Sequence, residues 1–150
     1  MKAINKILFP VDLSEVSSKL ALEAIGFAQK FNAEVHLLLV AGSFEKFKTF
    51  YIPHPSLQTF GDEVLKGGRR RLKEFVEEFF SEYSKLKTVV VQGDPAEEII
   101  KYISSEKIDL VIMGTHGRKG LDRILFGSVA DRVVKNSPTP VLTINPYRHV

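Results

Sequence analysis

The 150 residues contain no cysteine, so disulfides, thiolate metal sites and cysteine nucleophiles are excluded. No apolar run approaches the roughly 20 residues of a membrane-spanning helix; the longest are fragments such as "LLLVA". The opening "MKAINKILFPVD" enters a strand-like run without the apolar stretch and cleavage site of a secretory signal. A cytoplasmic protein is the expectation. Net charge is only +3, with no alternation of basic and aromatic residues, so nucleic acid is not an expected partner. The triplet Arg69-Arg70-Arg71 precedes Glu74, Glu77 and Glu78, which reads as a solvated, charge-paired helix face. His36, His54, His116 and His149 are scattered, without metal-ligand spacing.

What is present is a balanced composition, 44% hydrophobic and 26% charged, in a length suited to one domain over residues 1–150. Five short apolar runs alternate with amphipathic segments. Lys6–Val11, Glu34–Val40, Thr88–Gln92, Asp109–Met113 and Pro140–Ile144 are mostly apolar at consecutive positions, as parallel strands covered on both faces should be. Val16, Leu20, Ala24, Phe27, Ala28 and Phe31 form the apolar stripe of a first helix. Leu65, Leu72, Phe75, Val76, Phe79 and Tyr83 do so on a longer second one. A third helix starts at Asp94 as N-cap, with Pro95 next and Glu97 at capping-box spacing. A fourth starts with Ser128 as N-cap and stops near Asn136. This order predicts an α/β fold: an open sheet of five parallel strands with right-handed crossovers and helices on both faces. Ala41–Phe60, with five aromatics, is long for a βα connection and reads either as a lid or subunit contact or as a variable loop.

In such sheets ligands collect beyond the strand C-termini, where the winding reverses. If strand 4 returns to the far side of strand 1, the crevice lies between Pro10-Val11-Asp12 and Met113-Gly114. There the chain reads "MGTHGRKGLDRILFGS". Gly114, Gly117 and Gly120 suit a tight loop whose amides converge. Gly127, Ser128 and Val129 would supply amides at a helix N-terminus, with Arg118 and Lys119 nearby, as a phosphate cradle requires. Neither G-x-x-x-x-G-K-[ST] nor G-x-G-x-x-G occurs. The alternative is a structural loop in which Ser128 only caps.

Gly114-x-x-Gly117, nine residues, then Gly127-Ser128 resembles the G-2x-G-9x-G-[S/T] nucleotide-binding pattern of the universal stress protein family. "ILFPVDLSEVS", "VQGDPAEEI", "LVIMG" and "SVADRVVKNSPTPVLTI" are similar to that family in the same order, over nearly the whole chain. The resemblance implies a flavodoxin-like (Rossmann-like) sheet of order 3-2-1-4-5, a homodimer, and the ATP-binding branch. It also implies that Gly114, Gly117, Gly127, Ser128 and the Val129 amide hold ribose and phosphates. Asp12 would lie near the adenosine, Val40 would meet the adenine edge through its backbone, and Met113 would lie against the base. Core packing is the alternative for Val40 and Met113, and capping of the first helix for Asp12. Leu39 departs from the histidine that several members carry there.

ATP, ADP or AMP is thus the expected ligand, with magnesium or manganese arriving on its phosphates. No catalytic set is evident: Asp12 is the one carboxylate placed in the crevice, and His116 and Asp122 lie in the glycine loop. A nucleotide-dependent regulatory module with slow hydrolysis at most is expected; the alternatives are a partner-activated ATP hydrolase and an interaction module. A response regulator is disfavoured, because strand 3 ends in Gln92-Gly93 instead of an acceptor aspartate. Val141–Ile144 should be an edge strand that pairs with a second copy, unless the tail "NPYRHV" shields it.

Overall fold

The structure, a computed structural model, describes residues 2–42, 54–115 and 127–147, with the side chains of 54–58 left aside. Among these residues the elements run β1 (Lys6–Val11), α1 (Glu15–Phe31), β2 (Glu34–Gly42), α2 (His54–Phe79), β3 (Leu86–Gly93), α3 (Pro95–Glu106), β4 (Leu110–Gly114), α4 (Ser128–Asn136) and β5 (Val141–Ile144). The five strands form one parallel sheet in the order β3-β2-β1-β4-β5. No helix among the described residues is long and apolar enough to cross a membrane.

Alternate strand residues serve opposite faces, which is why the strands are apolar throughout. Ile7, Phe9, Val35, Leu37 and Ile112 pack under α1 and α2 with Leu20, Ala24, Leu72 and Phe75. Leu8, Leu38, Val111 and Met113 pack under α3 and α4 with Ile99, Ile103, Ala130 and Val133. The small residues Ala21, Ala24 and Ala28 on α1 are fully buried and let that helix lie close to the sheet.

Several boundaries differ from the periodicity. β2 continues through Ala41 and Gly42 because β3 extends alongside it, pairing Ala41 with Gln92 and Gly42 with Gly93. α2 begins at His54, so the expected loop Ala41–Phe60 is helical from residue 54 onward; Pro55 is tolerated because first-turn amides have no intrahelical acceptor. Residues 43–53, with four of its aromatics, lie outside the described residues. α2 stops at Phe79, so Tyr83 is not helical. A turn closed by the Tyr83 amide on the Phe80 carbonyl at 3.0 Å returns both aromatics to the core. Phe80 is then 1% exposed and stacks near Phe9 and Phe75, while the Tyr83 hydroxyl donates to the Ala33 carbonyl. Phe31, expected on the buried stripe of α1, is instead exposed at the helix end.

One irregularity opens the sheet. β1 pairs with β2 along its whole length, from Lys6 with Glu34 to Val11 with Leu39. Against β4 it pairs only at Ile7 with Leu110 and Leu8 with Val111. The pairing stops two residues before Pro10, which has no N–H with which to extend it. β1 and β4 therefore diverge at the C-terminal edge, where the winding reverses.

Candidate functional site

The divergence forms the floor of a cleft of about 890 Å³. Pro10, Val11 and Asp12 come from β1 and its exit, and Val40 from β2. Met113 and Gly114 come from β4, and Gly127, Ser128 and Val129 from the start of α4. Every described residue of the sequence-derived set thus lines one cleft. Gly117 and Arg118, with His116, Lys119, Gly120 and Asp122, lie outside the described residues.

Asp12 holds the bend between β1 and α1. Its Oδ1 accepts from the Ser14 amide (2.9 Å), the Ser14 hydroxyl (2.5 Å) and the Ser17 hydroxyl (2.9 Å). Its own amide donates to Ser17 Oγ at 3.1 Å. The N-cap of α1 is Ser14, and Ser14 forms no side-chain cap bond. Asp12 is therefore a brace two residues before the cap rather than the cap itself. Between them Leu13 has φ +60°, a left-handed conformation costly for a residue with a Cβ, and the Asp12–Ser14 bond closes around it.

The start of α4 differs from expectation in two respects. Gly127, not Ser128, is the N-cap; Ser128 is the first helical residue, and no side-chain cap bond forms. The reason lies in the backbone. The Gly127 carbonyl accepts the first helical bond, from the Asp131 amide at 3.0 Å, which makes Gly127 the half-in residue. Its amide donates to the Thr115 carbonyl at 2.6 Å, so it is not one of the available donors. The amides of Ser128, Val129 and Ala130 have no acceptor within the helix and carry the positive end of its dipole. The Ser128 hydroxyl is not spent on capping.

Across from α4, Asp94 caps α3 as expected, accepting from the Glu97 amide at 3.0 Å, with Pro95 as the next residue. Arg132 on α4 donates to Asp94 at 3.0 Å and lies 3.8 Å from Glu97. The Arg132 bond, with the helix amides, holds the Asp94 carboxyl below its usual range. These bonds commit Arg132 to the α3–α4 contact.

His36 is fully buried on β2, where Nδ1 meets the Tyr102 hydroxyl at 2.8 Å and Nε2 meets Glu34. Burial, then the charges of Glu106 and Glu34, push the Tyr102 hydroxyl up to about 12. This is a core contact, remote from the cleft. No cluster of three metal-ligating side chains occurs among the described residues.

The sequence reading missed one wall. Val64, Gly67, Gly68 and Arg71 of α2 also line the cleft. Arg71 had been assigned to a solvated face paired with Glu74, Glu77 and Glu78; it makes no ion pair among the described residues. The available signal was the adjacent pair Gly67-Gly68 inside a strong helical pattern, where each glycine costs roughly 1 kcal/mol of helix propensity relative to alanine. For Gly68 the reason is packing: a Cβ there would lie 3.2 Å from Val90 Cγ1 and 3.4 Å from Leu39 Cδ2.

The model of the Universal stress protein family matches residues 3–145. Universal stress protein MJ0531 of Methanocaldococcus jannaschii is 38% identical, over 93% of this chain and 81% of its own length. MJ0577 of the same organism is 32% identical, over 93% of this chain and 94% of its own. The solved structure of MJ0577 superposes with a TM-score of 0.84, 30% identity and 99% coverage of both chains. The universal stress protein UspA of Lactobacillus plantarum gives a TM-score of 0.80 at 25% identity, covering 97% of this chain and all of its own. The glycine pattern, the strand order and the family match agree: this chain belongs to the universal stress protein family.

Proposed function

We propose that the cleft binds an adenine nucleotide, ATP or its ADP and AMP forms, and that the chain is a nucleotide-dependent regulatory module with slow or no hydrolysis. The observation that carries this reading is the convergence at one cleft. The first amides of α4, which have no acceptor within the helix, the Ser128 hydroxyl, Gly114 at the end of β4 and the Asp12 bend all line it. The pieces suit the ligand's chemistry. Backbone amides at a positive helix end fit phosphate oxygens, and the Ser128 hydroxyl can donate a further bond. The apolar edges of Val40 and Met113 suit a base. The cleft volume is within the range of sites for small ligands. A divalent cation would travel on the phosphates.

Slow turnover follows from the carboxylate. Asp12 is the only acidic residue among the described lining residues, and Oδ1 is occupied by Ser14 and Ser17. Its role in holding the bend leaves it badly suited to orient an attacking water. A second copy of the chain pairing along β5 belongs to the same proposal. Among the described residues β5 pairs with β4 alone, and its residues are half-buried. Tyr147, the last described residue, lies under the Lys19 ammonium of α1, 4.6 Å from ring centre.

Titration calorimetry with ATP and magnesium, on the wild type and on Gly127→Val, tests the reading. Micromolar binding by the wild type, lost in an equally folded variant, is the expected result. No binding by the wild type would overturn it and leave the glycines as a structural loop.

A further inference from the structure

We propose that Arg71 recognises the base of the bound nucleotide, and so acts as a specificity-determining residue at the end of the cleft opposite the phosphates. This rests on the nucleotide reading above and adds a residue and a direction to it.

The argument begins with charge. The described cleft wall carries two charged side chains, Asp12 and Arg71. Asp12 is engaged by Ser14 and Ser17. Arg132 of α4 is held by Asp94 and Glu97. Arg71 has no such partner among the described residues and is exposed.

Its direction follows from helix geometry. α2 returns antiparallel to the strands, so a side chain that leans towards the N-terminus of α2 leans towards the C-terminal edge of the sheet, where the cleft opens. Side chains on a helix lean towards its N-terminus and cover the turn before their own Cα. For Arg71 that turn is Gly67 and Gly68, which have no side chains to compete for the space. A Cβ at Gly67 would meet no described atom within 4 Å. Gly68 is seated against Leu39 and Val90, which fixes this part of α2 over β2 and β3. The guanidinium is thereby presented to the cleft from the β2 side.

The phosphate donors are on the other side. α4 follows β4, and β1 lies between β2 and β4 in the sheet. Two strand spacings, roughly 10 Å, therefore separate β2 from β4, and α2 and α4 lie on opposite faces of the sheet, so the two walls are at least that far apart. A nucleotide whose phosphates sit on the α4 amides points its nucleoside towards β2 and α2. A purine offers a π face and in-plane acceptor nitrogens, and a guanidinium can stack on the first and donate to the second. No exposed aromatic competes for that role in the described wall, since its one aromatic, Phe9, is 1% exposed and belongs to the core.

The test compares ATP with inorganic tripolyphosphate on the wild type, Arg71→Met and Arg71→Lys, with urea midpoints confirming equal stability. Methionine keeps the apolar stem and removes the planar head. The expected result is ATP binding about tenfold weaker in Arg71→Met, little rescued by Arg71→Lys, with tripolyphosphate affinity unchanged. An equal loss for both ligands would overturn the proposal by placing the cation at the phosphates. Unchanged affinity for both would overturn it outright while leaving the nucleotide reading intact. Absence of ATP binding to the wild type would remove that reading and this one together.

Discussion

Replacing Asp12 by alanine measures what the bend between β1 and α1 depends on. The substitution removes the acceptor of three donors: the Ser14 amide, the Ser14 hydroxyl and the Ser17 hydroxyl. The Ser14 hydroxyl is half-buried and can turn to water at small cost. Ser17 is 4% exposed, so its hydroxyl would lose its acceptor without gaining one. The Ser14 amide bond also closes the turn that keeps Leu13 at φ +60°. A charge-assisted bond to a carboxylate contributes about 1.5–3 kcal/mol, and a stranded buried donor costs a similar amount. Because the donors share one oxygen and the loop can relax, the net loss should be about 2 kcal/mol. For a chain of this length that lowers Tm by roughly 4–8 °C. Asp12→Asn retains an acceptor oxygen in the same place and should lose less than about 1 kcal/mol. Urea unfolding followed by far-ultraviolet circular dichroism checks both numbers. An alanine variant as stable as the wild type, or an asparagine variant no better than alanine, would refute the account of Asp12 as the brace. ATP titration of the stable asparagine variant then asks a separate question, whether the carboxylate also meets the ligand.

Asp109 supplies the second prediction. Its side chain is 7% exposed and accepts from the Asn5 and Lys6 amides at 3.0 Å each, with Lys2 at 2.7 Å. Burial alone would raise its pKa, but the Lys2 bond and the two amides outweigh it and leave the carboxyl lowered. Asp109→Ala should therefore cost about 2 kcal/mol near neutral pH. Since the folded-state pKa is the lower one, that contribution is present above the unfolded value near 3.9 and disappears as pH falls through the folded value. Wild type and variant should converge in strongly acidic solution; a gap that stays constant down to pH 2.5 would contradict this. For the edge strand, light scattering at micromolar concentration should give twice the monomer mass, and a proline at Thr143, whose amide alternates away from the β4 side that Ile144 bonds, should give the monomer. A monomeric wild type would count against pairing through β5.

The legible parts of this fold were those decided within a few residues of chain. β1 runs from Lys6 to Val11 as its composition indicates, because a strand buried on both faces needs only consecutive apolar residues. The start of α3 was equally readable: Asp94, Pro95 and the Glu97 amide satisfy one another locally. The cap of α4 was not. Ser128 has the right chemistry for a cap, but the Thr115 carbonyl binds the Gly127 amide and fixes Gly127 as the half-in residue, from twelve positions earlier in the chain. The end of α2 was misread for a related reason. Phe80 and Tyr83 continue the apolar pattern, yet they reach the core by a turn, and periodicity does not distinguish a turn from a further helical one.

The candidate site divides the same way, and the division explains why Arg71 escaped notice. Gly114, Gly127 and Ser128 stand out in sequence because an anion cradle made of backbone needs glycines and a helix start, and both leave a local mark. An arginine that faces a ligand leaves none; beside Arg69 and Arg70 it is indistinguishable from solvated charge. What separates it is tertiary. Pro10 ends the β1–β4 pairing and opens the crevice, and Gly68 brings α2 down onto Leu39 and Val90. Only then does the turn bearing Gly67 become a gap in the wall with a cation leaning over it. A glycine pair inside an amphipathic helix, three and four residues before an arginine, is thus a pattern worth testing as a binding wall whenever that helix follows a central strand. The reasoning requires that filling the gap should matter. A Cβ at Gly67 would meet no described atom within 4 Å, so a side chain can start there without a clash, and leucine is the substitution to make. It should leave unfolding unimpaired while obstructing the approach of Arg71 to the cleft.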